Sequence, residues 1–180
     1  MKLTRIVLLP CLLCFHSLSV TAAEDLVGEF FATINQRLSY MEDVALFKRQ
    51  NQTAVEDLAR ERVVIDNAKE AAASLGLKPQ SVEAFFEAQI AVAKAIQHRH
   101  RADWLSAPPT GEVVNLDTEI RPLLTELGDQ IIFLLTQTLL LQGEIDESSR
   151  SRLVELITTT HVSLRDKNLL FDALRSVRLR

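Results

Sequence analysis

Beyond residue 14 the chain has no cysteine: Cys11 and Cys14 are the whole supply. A disulfide-stapled scaffold is therefore excluded, and the fold must hold together by burying apolar surface, which a chain of this size does with a single core. Glycine and proline are also scarce, at five each, and alternating β-branched runs are missing. Both absences speak against a sheet and against a loop-rich or low-complexity chain, so the expectation is all-α. Nor is there an excess of base. Lys and Arg number 20 against 24 Asp and Glu, a net charge of −4, whereas a nucleic-acid surface carries a basic footprint. No Ser/His/Asp or Cys/His set suited to nucleophilic catalysis is present. Any functional positive charge must be local.

The first 23 residues stand apart. Lys2 and Arg5 precede the largely apolar stretch 6–20, then Thr21-Ala22-Ala23 leads into Glu24-Asp25. This is the form of a secretory leader cleaved after Ala22 or Ala23. The run falls short of the roughly 20 apolar residues of a membrane span and is interrupted by Pro10, His16 and Ser17. Cys11 and Cys14 form a C-x-x-C inside the discarded segment, and neither follows the small residue of a lipid-anchoring site. Cleavage removes Lys2 and Arg5 and no acid, leaving 18 bases against 24 acids. The expected product is an acidic periplasmic or secreted domain, residues 24–180, with no membrane association.

Apolar periodicity predicts about six helices in one bundle. The first runs from about Glu24 to Gln50, with Val27, Phe30, Phe31, Ile34, Leu38, Met41, Val44, Ala45 and Phe47 recurring at three and four. Thr53-Ala-Val-Glu56 has the form of a capping box, so a second helix is expected from Thr53 to a stop at Gly76. Asn51-Gln52-Thr53 is also a glycosylation sequon, but the cap is the better account of Thr53. Pro79 suits the first turn of a third helix reaching about Trp104. After a connector over 105–112, a fourth is expected from Asn115 or Asp117 to Gln142, with Gly143 as its stop. Two amphipathic stretches follow, Asp146 to about His161 and Ser163 to Leu179, and carry no recognisable chemistry. His98-Arg99-His100-Arg101 invites a metal or phosphate reading; residues two apart do not share a helix face, so a polar face is expected there. His161 is expected to be a partly buried packing or capping group.

Charge is placed more tightly than composition suggests. Arg37 and Lys48 are eleven positions apart, about three turns, so they leave one helix face about 16 Å apart along the axis. Both border the apolar stripe. Asp57, Arg60 and Glu61 then crowd within four residues, at spacings that make side chains neighbours. A ligand held between these helices would be anionic and would offer a hydrogen-bond donor.

The set Arg37, Lys48, Asp57, Arg60 and Glu61, at offsets of eleven, nine, three and one, resembles the active-site framework of the all-helical AroQ-type chorismate mutases. Residues 86–97, from Phe86 through Ala93 to Gln97, resemble the third active-site helix of that family, where a small residue and an amide or acid four positions later face the substrate. Ala93 departs from the hydroxyl residue often found at its place. The sequence Leu116-Asp-Thr-Glu-Ile-Arg121-Pro122 is similar to the segment that supplies an extra carboxylate-binding arginine in the exported, monofunctional branch, the gamma subclass. The resemblance spans residues 30–122 and is only architectural over 146–179. It implies a cofactor-free, metal-free rearrangement of chorismate to prephenate, in the phenylalanine and tyrosine branch of aromatic amino acid synthesis. It further implies carboxylate anchoring by Arg37, Arg60 and Arg121, donation to the ether oxygen by Lys48 and Gln97, acceptance of the ring hydroxyl's proton by Glu61, and a supporting place for Asp57 and Ala93. A homodimer with a complete site in each chain follows from the same resemblance. The rival expectation is an exported helical binding or scaffold protein that captures a small anion with the same cations.

Overall fold

The computed structural model describes residues 15–180, with only the backbone of 15–25. Cys11, Cys14 and the first part of the expected leader lie outside the described residues. Among the described residues, seven α-helices account for the architecture: α1 (Phe15–Ser39), α2 (Met41–Gln50), α3 (Leu58–Ser74), α4 (Pro79–Asp103), α5 (Arg121–Gln142), α6 (Arg150–Leu156) and α7 (Leu164–Leu174). The all-helical expectation holds. The six expected helices are present, the first of them broken in two.

The break falls at Tyr40, with no glycine or proline to cause it. Ser39 Oγ donates to the Gln36 carbonyl at 2.8 Å, and such back-bonding from Ser competes with the helical ladder and bends helices. Arg37 therefore lies in the last turn of α1 while Lys48 belongs to α2. A second correction concerns α3, which starts at Leu58 and not at Thr53. Thr53 instead closes α2, its N–H and hydroxyl both donating to the Lys48 carbonyl. The cap of α3 is Asp57, whose Oδ1 accepts from the Arg60 N–H at 3.1 Å. Gly76, at φ +86°, ends the helix as expected, the Leu77 N–H turning back to the Ala72 carbonyl.

Pro79 opens α4 in its first turn. Ahead of α5, residues Leu116–Ile120 form one wide π turn, capped by Asn115 Oδ1 accepting from Asp117 and Thr118. Pro122 lacks the N–H that a regular ladder needs at this point, and a widened turn accommodates it. The stretch Leu116–Gln142 has the length and hydropathy of a membrane span; here Leu127, Ile131, Leu135 and Leu139 are buried where α5 packs against α1 and α3.

The C-terminal helices are shorter than expected. α6 stops at Leu156, and Ile157 turns extended. Asn35 of α1 takes over, its Oδ1 accepting from the Thr158 and Thr159 N–H groups at 2.9 Å each. α7 carries the capping box of Ser163 and Asp166 and ends at Leu174. The tail then pairs with the turn after α3, Lys78 N–H donating to Arg178 O and Arg180 N–H to Gly76 O. The 98–101 segment also needs correcting: His100 is buried, 4.4 Å centroid to centroid from His161 and 5.5 Å from Trp104. Only its neighbours form the expected polar face. His161 is partly buried, as expected, and its Nε2 lies 2.9 Å from Asp103 Oδ2.

The core is built on Phe30, Phe31, Phe85, Phe86 and Phe171, joined by Ile34, Leu38, Ile96, Ile131 and Ile132. Phe30 and Phe85 stack 6.4 Å apart and Phe85 meets Phe86 edge-on at 5.8 Å, tilted arrangements that suit ring quadrupoles. α4 is central, packing against α2, α3 and α7. A cavity remains on one side of it.

Candidate active site

That cavity lies between the end of α1, α2, the start of α3, the middle of α4 and the start of α5. Its volume is about 120 Å³, roughly ten times what a single water takes on the same measure. Arg37, Lys48, Asp57, Arg60, Glu61, Ala93, Gln97 and Arg121 all line it. Every site residue expected from the sequence is thus at one place. Apolar walls come from Met41, Val44, Val55, Ile90, Leu116 and Leu124, which lower the local dielectric and strengthen any charge–charge contact made inside.

Arg37 is only 5 % exposed, yet no carboxylate pairs with it among the described residues and its Nε has no hydrogen-bond partner. Its guanidinium carbon lies 6.0 Å from the Phe86 ring centroid. Burial, and secondarily the charge of Arg60, lowers its pKa well below the ordinary arginine value, to about 10. Lys48 is 8 % exposed, and its Nζ donates to the Val55 carbonyl at 2.5 Å. Burial pulls its pKa below the ordinary lysine value; Asp57 and Glu61 oppose that shift and Arg121 and Arg101 add to it. An ammonium has three donors, so two remain for the cavity.

On the opposite wall the α3 cap organises the charges. Besides Arg60, Asp57 meets Arg121, whose Nη2 lies 3.3 Å from Asp57 Oδ2. Arg121 Nη1 also pairs with Asp117, so this guanidinium, supplied by the same chain, is held by two carboxylates at the mouth. Glu61 returns the capping interaction, its Oε1 accepting from the Asp57 N–H at 3.3 Å. Arg60 Nη2 reaches Thr125 Oγ1 on α5 at 3.5 Å. Across on α4, Gln97 is 4 % exposed; its Nε2 donates to Ala93 O at 3.2 Å and lies 3.7 Å from Met41 Sδ, a weak acceptor. Gln97 Oε1 has no partner among the described residues.

Sequence reasoning missed Lys94, Asn67, Thr125 and Asp129, which also line the cavity. Lys94 follows Ile90 by four and precedes Gln97 by three, a spacing that signals one shared flank of α4. Thr125 and Asp129 lie four and eight positions beyond Arg121, and the same rule would have found them.

The chain matches the family model described as chorismate mutase type II over residues 28–98. It is 33 % identical over 165 residues to the monofunctional chorismate mutase of Enterobacter agglomerans, covering 92 % of this chain and 91 % of that one. To the secreted chorismate mutase of Yersinia pestis it is 34 % identical over 166 residues, 92 % of this chain and 88 % of the other. The crystal structure of that Yersinia pestis protein superposes with a TM-score of 0.78, over 85 % of this chain and 99 % of its own.

Proposed function

The chain belongs to the type II chorismate mutase family, an isomerase family, and we propose that it is an exported, monofunctional member of the gamma subclass whose α1–α5 cavity rearranges chorismate to prephenate. Export is supported by the leader-like residues 1–23 and by the word secreted in the name of the Yersinia pestis relative. The likeness of Arg121-Pro122 and its flank to that branch supports the subclass. Arg121 reaches the cavity of its own chain, which supports a complete site in each subunit of the homodimer that the family resemblance implies.

Arg37 is the observation that carries the reading. A desolvated cation without a counter-charge costs several kcal/mol, and a ligand carboxylate is the partner that would offset it. Guanidinium matches carboxylate in a planar, bidentate way. Arg37, Arg60 and Arg121 therefore anchor the two carboxylates of chorismate. Between those anchors the substrate is held in the compact conformer that brings its reacting carbons together, which removes much of the entropic barrier. No nucleophile or general base is required, because bonds break and form in one cyclic movement of electrons. Charge builds on the ether oxygen as its bond to the ring stretches. Lys48 donates to that oxygen with an N–H not used on Val55, and Gln97 donates with the N–H now facing Met41 Sδ. Such prealigned donors in an apolar setting act on the transition state more than on the ground state. Glu61 accepts the proton of the ring hydroxyl in a hydrogen bond.

Mixing the mature protein with chorismate and following the loss of its ultraviolet absorbance tests the reading. Turnover with saturation kinetics is expected. Tight binding of chorismate without turnover would point instead to an anion-capturing protein.

A further inference from the structure

Glu61 is held by two donors from two elements. Lys94 Nζ of α4 lies 3.0 Å from Glu61 Oε2, while Glu61 Oε1 takes the backbone N–H of Asp57 at the head of α3. Lys94 and Glu61 both line the cavity, and their side chains are 28 % and 20 % exposed. A carboxylate offers about four lone-pair directions. With one on each oxygen taken by Asp57 and Lys94, the plane of the group is set and its remaining lone pairs are left for one further donor.

Resting on the function proposed above, we propose that Lys94 is a positioning and specificity-determining residue: it fixes the Glu61 carboxylate so that the site selects a substrate bearing the ring hydroxyl. Without Lys94 a single backbone contact at 3.3 Å would hold a side chain with three rotatable bonds. Arg60 and Arg121, lining the same cavity, would then compete for it. A carboxylate drawn to those cations leaves the ring hydroxyl without its acceptor.

The test compares chorismate with the analogue in which hydrogen replaces the ring hydroxyl. Wild type, Lys94→Met and Lys94→Arg are assayed on both, and again in a Glu61→Gln background. The expected result is that Lys94→Met lowers kcat/KM for chorismate by about tenfold, the effect of one charge-assisted hydrogen bond, and leaves the analogue within about twofold. Lys94→Arg should restore most of the discrimination. In the Glu61→Gln background Lys94→Met should change the ratio of the two substrates by less than about twofold. Equal losses on both substrates would overturn the proposal in favour of a general charge or folding role, and so would an unchanged ratio in Lys94→Met. A wild type without mutase turnover would remove the functional reading itself, an outcome seen before any variant is made.

Discussion

Arg121 Nη2 stands 3.3 Å from Asp57 Oδ2, across 64 positions of sequence. Asp57 also caps α3 through the Arg60 N–H, so one carboxylate both starts a helix and holds the guanidinium that begins another.

These two duties separate by mutation. Asp57→Ala removes the cap as well as the ion pair, and should lose about 1 kcal/mol of stability together with several-fold in kcat/KM. The ion pair is about one-third exposed on each side and adds little to that figure. Asp57→Asn keeps a good cap and gives up the charge, so urea unfolding should match wild type while KM rises. If both variants unfolded at the same urea concentration, Asp57 would not be the cap that matters.

Arg37→Met should separate stability from function. The lowered Arg37 pKa, with burial as its larger cause, marks a cation whose charged form the folded state disfavours. Replacing it by an apolar side chain of similar length should keep or raise Tm, by about 2–4 °C for each kcal/mol recovered in a chain of this size. Activity should fall by at least about 10²-fold. Thermal melts with and without a dicarboxylate mimic of the transition state complete the check: the mimic should raise the wild-type Tm and leave the Arg37→Met melt unmoved. A clear Tm loss in the ligand-free variant would mean that Arg37 has a structural partner.

Lys48 predicts an alkaline limb. Its pKa is depressed by burial, so the folded protein gives up this proton at lower pH than the unfolded chain, whose lysines titrate near about 10.4. Between those values the unfolded state binds more protons, and this group's contribution to stability rises with pH. Activity should do the opposite, as the donor to the ether oxygen is lost. Turnover measured from about pH 7 to 10.5, alongside urea unfolding, should show the two trends crossing. Lys48→Ala should lose about 10²-fold in turnover at neutral pH with unchanged circular dichroism. A wild-type rate that stays flat to the top of the range would take Lys48 away from the reacting oxygen.

Gln97→Glu tests the amide donor. An amide donates at every pH, a carboxyl only when protonated, and an unperturbed Glu titrates near about 4.3. Near pH 7.5 the variant would set a carboxylate against an oxygen gaining negative charge, exchanging a donor worth roughly 3 kcal/mol for repulsion. Turnover of the variant should therefore collapse at neutral pH and recover toward pH 5 and below, while wild type holds. Parallel profiles from about pH 4 to 8 would show that residue 97 does not touch the reacting oxygen.

Much of the site was legible because helices convert sequence spacing into position. The offsets among Arg37, Lys48, Asp57, Arg60 and Glu61 survive in space even though the first helix breaks at Tyr40 and α3 begins five residues later than expected. A bend or a shifted start moves the axis, but neighbouring turns keep their faces. Gly76 and Gly143, both at positive φ where they end helices, were readable for the related reason that their signal is local.

Other features depended on partners distant in sequence. The capping pattern Thr53-Ala-Val-Glu56 was a sound local signal that lost to another use of the same residue, Thr53 closing α2 on the Lys48 carbonyl. α6 ends where Asn35, more than 120 positions away, supplies an acceptor to the Thr158 and Thr159 N–H groups; nothing in 146–161 announces that. His100 looked like part of a polar run because its burial is decided by Trp104 and by His161 beyond α6. Lys94 drew no attention because its meaning rests on facing Glu61 across two helices.

Taken by itself, the sequence determined the helical class, the two glycine stops and the register that places each charge on a face, since all of these are set by neighbours within a turn or two. Tertiary structure alone decided which face meets which: that Arg37 is buried without a counter-charge among the described residues, that Lys48 leans on Val55, and that Asp57 joins Arg121. Those depend on interhelical packing, in which burial, desolvation and long-range hydrogen bonds choose among partners that local spacing leaves equivalent.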